Sequence, residues 1–249
     1  MKISVLSSNM WLLPPPASID NQKRLTKFIK LVSETRPDIV NLQEVWLKPY
    51  ISQIKNKLSN YHFVSTKSWL YNKSGLVTLT KYRPVDKKIH YFKIKRQYNP
   101  IERIAGKGFL RVQFEINGKK VSVINVHIYH SRQVANLKLK LNQISQVLKV
   151  AKENGPMIVA GDLNTPPNYY KNKLKRFLTE KIIPESYSEN NKYSHAMVNA
   201  LMNKEGIYNP YPDRIFYYPK SKTIKLKTQA IKDPLISDHY PLFSEINLS

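Results

Sequence analysis

Between Tyr61 and His127 the chain reads as five consecutive strands, and its helices are confined to the stretches on either side. The segments 61–65, 75–80, 88–94, 109–116 and 120–127 are short and bounded by turn residues, and Asn117-Gly118 between the last two marks a tight hairpin, since both residues tolerate positive φ. Before them the pattern is strand–helix–strand–helix. Residues 1–9 read as a strand ending at Asn9, and Pro14, Pro15 and Pro16 force a loop from Trp11 to Pro16. Leu25, Phe28, Ile29 and Val32 then recur at helical spacing between a cap at Asp20 and a stop at Pro37. Residues 38–42 read as a buried strand, and Ile51, Ile54 and Leu58 as an amphipathic stretch. After His127 come a long helix over 133–151, a strand at 157–160, a helix near 169–178, a weakly patterned region to 212, and strands at 215–218, 223–230 and 242–246. Helices that fall between groups of strands fit an α/β arrangement of two sheets packed face to face, each covered outside by helices, better than a doubly wound sheet. At 249 residues a single domain over 1–249 is sufficient.

Composition limits the chemistry. With no cysteine, thiol nucleophiles and thiolate metal sites are excluded, so any metal is held by oxygen and nitrogen, which favours hard cations such as Mg²⁺, with Mn²⁺ as its substitute. No apolar run approaches the roughly 20 residues of a spanning helix, and the opening Met1-Lys2-Ile3-Ser4-Val5-Leu6 reads as a strand, not a leader. The expectation is a soluble monomer, cytoplasmic or secreted with its leader absent from this chain. A net charge of +24 attracts polyanions, which makes nucleic acid and anionic membrane the candidate partners. The basic residues are mostly lysine and are spread along the chain, as a solvated surface in an Asn-, Ile- and Tyr-rich protein also requires.

Short polar motifs stand where strands end: Ser8-Asn9-Met10-Trp11, Leu42-Gln43-Glu44-Val45, Asn125-Val126-His127, Gly161-Asp162-Leu163-Asn164, Asp213-Arg214-Ile215 and Ser237-Asp238-His239-Tyr240-Pro241. Carboxylates, amides and imidazoles at strand ends can converge on one pocket above a rigid sheet, which is what metal-assisted attack on a phosphate ester needs. Glu44 is placed to bind a cation, and Asn9 to supply a ligand oxygen or contact a phosphate. Asp162 and Asn164 share one turn, Asp238 and His239 are adjacent, and His127 suits general acid chemistry. His127 and His130 lack the further nitrogen or sulfur ligand that zinc requires.

Taken together and in this order, the motifs resemble the endonuclease/exonuclease/phosphatase superfamily, over nearly the whole chain from Asn9 to Pro241. The resemblance implies a four-layer α/β/β/α sandwich of two mainly antiparallel sheets. It also implies in-line attack of water on phosphorus, with Asn9, Glu44 and Asp238 at a Mg²⁺ site. Asp162 and Asn164 would hold the scissile phosphate and the attacking water, Asp213 would orient His239, the proton of that water would pass to the pair of Asp162 and His239, and His127 would bind or protonate phosphate oxygens.

Asn9-Met10-Trp11-Leu12-Leu13-Pro14, Glu44-Val45-Trp46, the stretches Ser74–Val77 and Lys81–Pro84, and Gly106-Lys107-Gly108-Phe109 are similar to the neutral sphingomyelinase branch. The expected substrate is therefore a phospholipid head-group diester, with Trp11, His130 and Lys107 as substrate contacts and Trp11 in an apolar lip. Asp213-Arg214-Ile215 and the Ser237–Pro241 motif look closer to pancreatic deoxyribonuclease. A DNase-like endonuclease is the alternative, and a basic binding module without catalysis the non-enzymatic one.

Overall fold

The computed structural model describes residues 1–66, 71–93, 100–130, 137–164, 212–218, 221–233 and 235–248. Strands β1 (Lys2–Leu12), β2 (Ile39–Val45), β3 (His62–Ser65), β4 (Val77–Thr80), β10 (Lys225–Ala230) and β11 (Leu242–Asn247) form one sheet in the order β10-β11-β1-β2-β4-β3. Strands β5 (Pro84–Tyr91), β6 (Gly108–Ile116), β7 (Lys119–His127), β8 (Met157–Asp162) and β9 (Asp213–Tyr218) form the second, in chain order. Each sheet has one parallel pair, β1 with β2 and β7 with β8, and is otherwise antiparallel. Helices α1 (Asn21–Thr35) and α2 (Lys48–Lys57) cover the first sheet, and α4 (Leu137–Glu153) covers the second. The short helix α3 (Pro100–Ala105) precedes β6.

Strand alternation builds these layers, because both faces of the central strands are apolar. Ile3, Val5, Ile39, Val121, Val123, Ile158, Ala160 and Ile215 point between the sheets. Their neighbours Leu6, Val40 and Leu42 pack under α1 and α2, while Ile124, Val126, Val159 and Phe216 pack under α4. The inward series changes character towards one end of the sandwich. Ser7 and Asn9 follow Val5, Asn41 and Gln43 follow Ile39, Asn125 and His127 follow Val123, and Asp162 follows Ala160, all of them buried. The space between the sheets is thus hydrocarbon over most of its depth and polar at one rim.

Several boundaries differ from the sequence reading. β1 continues past Asn9 to Leu12, because its pairing with β2 resumes at Leu12 opposite Val45 after an irregularity in which Met10 and Trp11 face the single residue Glu44. Asp20 occupies the position before α1 but in a left-handed conformation (φ 53°), and its side chain does not cap the helix. β5 begins at Pro84, four residues earlier than expected, and α3 lacked a sequence signal. The β6–β7 hairpin forms as read, with Ile116 opposite Lys119 and positive φ at Asn117 (51°) and Gly118 (75°). The helix expected at 169–178, the weakly patterned stretch and the start of the 133–151 helix fall outside the described residues. No helix among the described residues is long and apolar enough to cross a membrane.

Candidate active site

The polar rim draws equally on both sheets. From the first come Asn9 on β1, Glu44 on β2, and Asp238 and His239 in the connection from β10 to β11. From the second come His127 on β7, Asp162 on β8 with Asn164 just beyond it, and Asp213 on β9. Register aligns the latter group, with His127 opposite Asp162 and Asp162 opposite Asp213.

Glu44 reaches the site through a backbone irregularity. Strict alternation after Gln43 would send it outward with Val40 and Leu42, but the two-against-one pairing with Met10 and Trp11 and a φ of 58° turn it inward. Holding a non-glycine residue there costs on the order of 1–3 kcal/mol, which the surrounding sheet must offset. Asn9 Nδ2 donates to Glu44 Oε1 at 3.3 Å and to Asp162 Oδ2 at 3.1 Å, and Asn9 Oδ1 accepts the Trp11 backbone N–H at 3.1 Å. Asn9 thus presents its donor side to the carboxylates and holds them together.

Gly161 has φ 147°, and a Cβ on it would lie 2.0 Å from the Val126 carbonyl oxygen, so only glycine lets β8 run this close to β7. Beyond it the Asn164 N–H donates to Asp162 Oδ1 at 2.8 Å, and Asn164 Nδ2 donates to the Ile128 carbonyl at 3.1 Å. His239 Nδ1 bonds Asp213 Oδ2 at 2.7 Å, which fixes the orientation of the imidazole. His127 Nε2 lies 3.5 Å from Asp162 Oδ2 and 3.7 Å from Glu44 Oε1, and neither ring nitrogen has a hydrogen-bond partner among the described residues.

The electrostatics follow from crowding charge into a buried rim. Burial first, then Asp238, pushes the Glu44 carboxyl up to about 7 against the pull of Lys107, Asn9 and His239. Burial and Asp213 likewise raise Asp162. Burial, aided by Lys107, His239 and His130, holds His127 well below the ordinary histidine range, so it is neutral. Burial opposes charge on His239, but Asp213, Asp238 and Asp162 together raise it well above that range, so it is an imidazolium. Two carboxyls destabilised as anions, beside an imidazole with no bonded partner, fit a hard divalent cation that would neutralise them. Asp162, Asp213 and His239 also bring potential ligand atoms within 4.8 Å of one another, although the 2.7 Å hydrogen bond already engages His239 Nδ1.

The structure brings together Asn9, Glu44, His127, Asp162, Asn164, Asp213 and His239, with half-buried Asp238 and buried Lys107 close enough to shift their charges. Lys107 Nζ pairs with Glu102 Oε1 at 3.1 Å and donates to the Ile128 carbonyl at 3.3 Å. Trp11 does not form the expected surface lip. It is 3% exposed, with the Arg24 guanidinium 4.9 Å from its ring centroid, so its apolar area is spent on packing; Leu12 is also buried, while Pro14, Pro15 and Pro16 are exposed. His130 is exposed beyond the strand end.

Two supporting residues escaped the sequence reading. Arg24 is fully buried in α1 and donates to the carbonyls of Met10 at 2.6 Å and Trp11 at 2.7 Å, anchoring the irregularity that aims Glu44. Lys140 in α4 donates to the Asn164 carbonyl at 2.7 Å. Each stands on its helix's buried stripe, Arg24 with Asn21, Leu25 and Phe28, and Lys140 with Ile144, Val147 and Ala151. A cation interrupting an apolar stripe was the available signal.

Comparison with known proteins adds three findings. A sequence model of the Endonuclease/Exonuclease/phosphatase family matches residues 6–239. A candidate neutral sphingomyelinase of Drosophila melanogaster is 24% identical over 220 residues, 82% of this chain and 48% of that protein. The chain spans about half or less of the length of the curated relatives it matches. Among solved structures, the beta toxin of Staphylococcus aureus with bound magnesium ions superposes with a TM-score of 0.77 at 18% identity, over 98% of this chain and 99% of that one. D. rerio TDP2 complexed with a single-stranded DNA product gives 0.74 at 18% identity, over 99% of both chains. These last two likenesses are likenesses of fold.

Proposed function

The chain belongs to the endonuclease/exonuclease/phosphatase family, and from that premise we propose that it is a Mg²⁺-dependent phosphodiesterase acting on a phospholipid head group of the sphingomyelin type. The observation that carries the reaction class is the convergence, at one rim between two sheets, of destabilised carboxyls, a neutral buried histidine and an Asp-oriented histidine. Glu44 and Asp162 would hold the cation, with Asp238 beside them and Asn9 keeping the pair together. A divalent cation bound there neutralises the carboxylates, stabilises charge on the phosphoryl and leaving oxygens, and lowers the proton affinity of His239.

The chain's own groups supply the rest. Asp213 fixes His239 Nδ1, so Nε2 is the atom that takes the proton of the attacking water, with Asp162 sharing that role. Asn164, braced by Ile128 and Lys140, presents its amide to the phosphate. Neutral His127, whose ring nitrogens have no hydrogen-bond partner among the described residues, would donate an N–H hydrogen bond to a phosphate oxygen; held neutral by burial, it is not the general acid expected from the sequence. Lys107 adds positive charge on the same side.

The relative from Drosophila melanogaster supports the lipid head group, while the +24 charge and the DNA-bound structural relative support a nuclease as the second reading. Mg²⁺-dependent hydrolysis of sphingomyelin vesicles and of plasmid DNA, measured side by side with His239→Ala as control, separates them. Phosphocholine release by the wild type alone is expected. Nicking without it would establish the nuclease, and His239→Ala at the wild-type rate would remove His239 from the mechanism.

A further inference from the structure

The site is split between two sheets whose facing surfaces are mostly hydrocarbon, and dispersion contacts alone do not fix how two such surfaces sit along or apart from each other. Directional links across the gap must do so. Two of them, Asn9 to Asp162 and Asp213 to His239, are made by the site's own groups, whose partners would change if cation, water and phosphate entered. The link between Gln43 and Asn125 is made by residues without a chemical role. Both are fully buried, and Gln43 Nε2 donates to Asn125 Oδ1 at 2.7 Å. Asn125 Nδ2 in turn donates to the carbonyls of Leu42 at 3.0 Å and Val77 at 2.8 Å, so a side chain from β7 is bonded to β2 and β4 of the opposite sheet. A neighbouring cross-sheet bond, Asn41 Nδ2 to the Ile124 carbonyl at 3.3 Å, is weaker by its length.

Position gives the pair its reach. Gln43 immediately precedes Glu44, and Asn125 stands two residues before His127 on the same face of β7. Gln43 Oε1 has no hydrogen-bond partner among the described residues, and leaving a buried carbonyl unsatisfied costs stability. An amide that leaves half its capacity unused is poorly explained by stability alone. We infer that Gln43 and Asn125 are positioning residues, whose mutual hydrogen bond sets the spacing between the Glu44 half of the site and the His127–Asp162 half.

The turnover part of the test rests on the phosphodiesterase reading, and the metal-binding part does not. Gln43→Met removes the link and, with it, the longer 3.4 Å bond to Ser7 Oγ, so that Asn125 Oδ1 and Ser7 Oγ both lose the Gln43 donor. It is expected to weaken Mn²⁺ binding, titrated calorimetrically without substrate, by roughly tenfold, and to lower kcat with little change in KM. The double swap Gln43→Asn with Asn125→Gln restores an amide pair and is expected to recover part of both. Tyr61→Phe, remote from the site, serves as a destabilised control and should bind Mn²⁺ as the wild type does. Wild-type Mn²⁺ affinity and kcat in Gln43→Met, or losses that follow Tm alone and appear equally in Tyr61→Phe, overturn the proposal. A wild type that binds no Mn²⁺ overturns it as well. A wild type that binds Mn²⁺ but hydrolyses no diester refutes only the phosphodiesterase reading, and the metal titration then decides the positioning role.

Discussion

Glu44 shows how much one residue's backbone decides. It is a strand residue by pattern, an inward carboxylate by virtue of positive φ, and destabilised as an anion by burial. Glu44→Gln keeps the shape and the Asn9 contact while removing the charge. Its Tm without metal should be no lower than that of the wild type, and the rise in Tm on adding Mg²⁺ should shrink or vanish, as a thermal melt with and without the ion will show. An undiminished Mg²⁺ effect would remove Glu44 from the metal site. Gly161→Ala places a Cβ 2.0 Å from the Val126 carbonyl and disturbs the β7–β8 pairing that aligns His127 with Asp162. A loss of several kcal/mol is expected, together with loss of activity in whatever fraction folds. A variant with wild-type Tm and rate would show that the strands can part without consequence.

Among the elements, the turn between α1 and β2 is tied to the start of β3 by one bond, from the Tyr61 hydroxyl to the Pro37 carbonyl at 2.7 Å. Tyr61→Phe leaves that buried carbonyl unpaired and should cost about 1–2 kcal/mol, read as a lower denaturant midpoint at neutral pH. Burial, helped by Asp38, pushes the Tyr61 phenol from its ordinary 10 up to about 12. Its folded pKa is raised, so its contribution to stability is full below pH 10 and is lost as pH rises through 12. The gap between wild type and Tyr61→Phe should therefore narrow across that window. A gap that stays constant from pH 9 to 12 would contradict the assignment. At this scale the sequence was largely readable: the hairpin at Asn117-Gly118, the stripe of α1 and the inner strands are local patterns. β5 began early and α3 went unseen because edge positions and short helices carry little periodicity.

For the whole molecule, the +24 charge is a long-range property that the fold does not alter in sum. Binding to anionic vesicles or to duplex DNA should fall by at least about tenfold between roughly 50 and 200 mM salt, and neutral vesicles should show no such dependence. Sedimentation across that range measures it, and salt-independent binding would mean that the charge is a passive surface. The sequence by itself determined the strand-rich α/β plan, the oxygen and nitrogen ligand chemistry and the six polar motifs, since these depend on local periodicity and residue type, while the structure places Asn9 inside β1, Asp213 at the start of β9 and residues 237–241 in the connection before β11. Only the tertiary structure decided that Glu44 turns inward, that Trp11 is buried beneath Arg24, that Asn9 faces the carboxylates with its donor side, and that Gln43 and Asn125 bridge the sheets. Each of these depends on what stands opposite a residue across a pairing irregularity or an inter-sheet gap, and a partner 82 positions away in the chain leaves no mark on the local pattern.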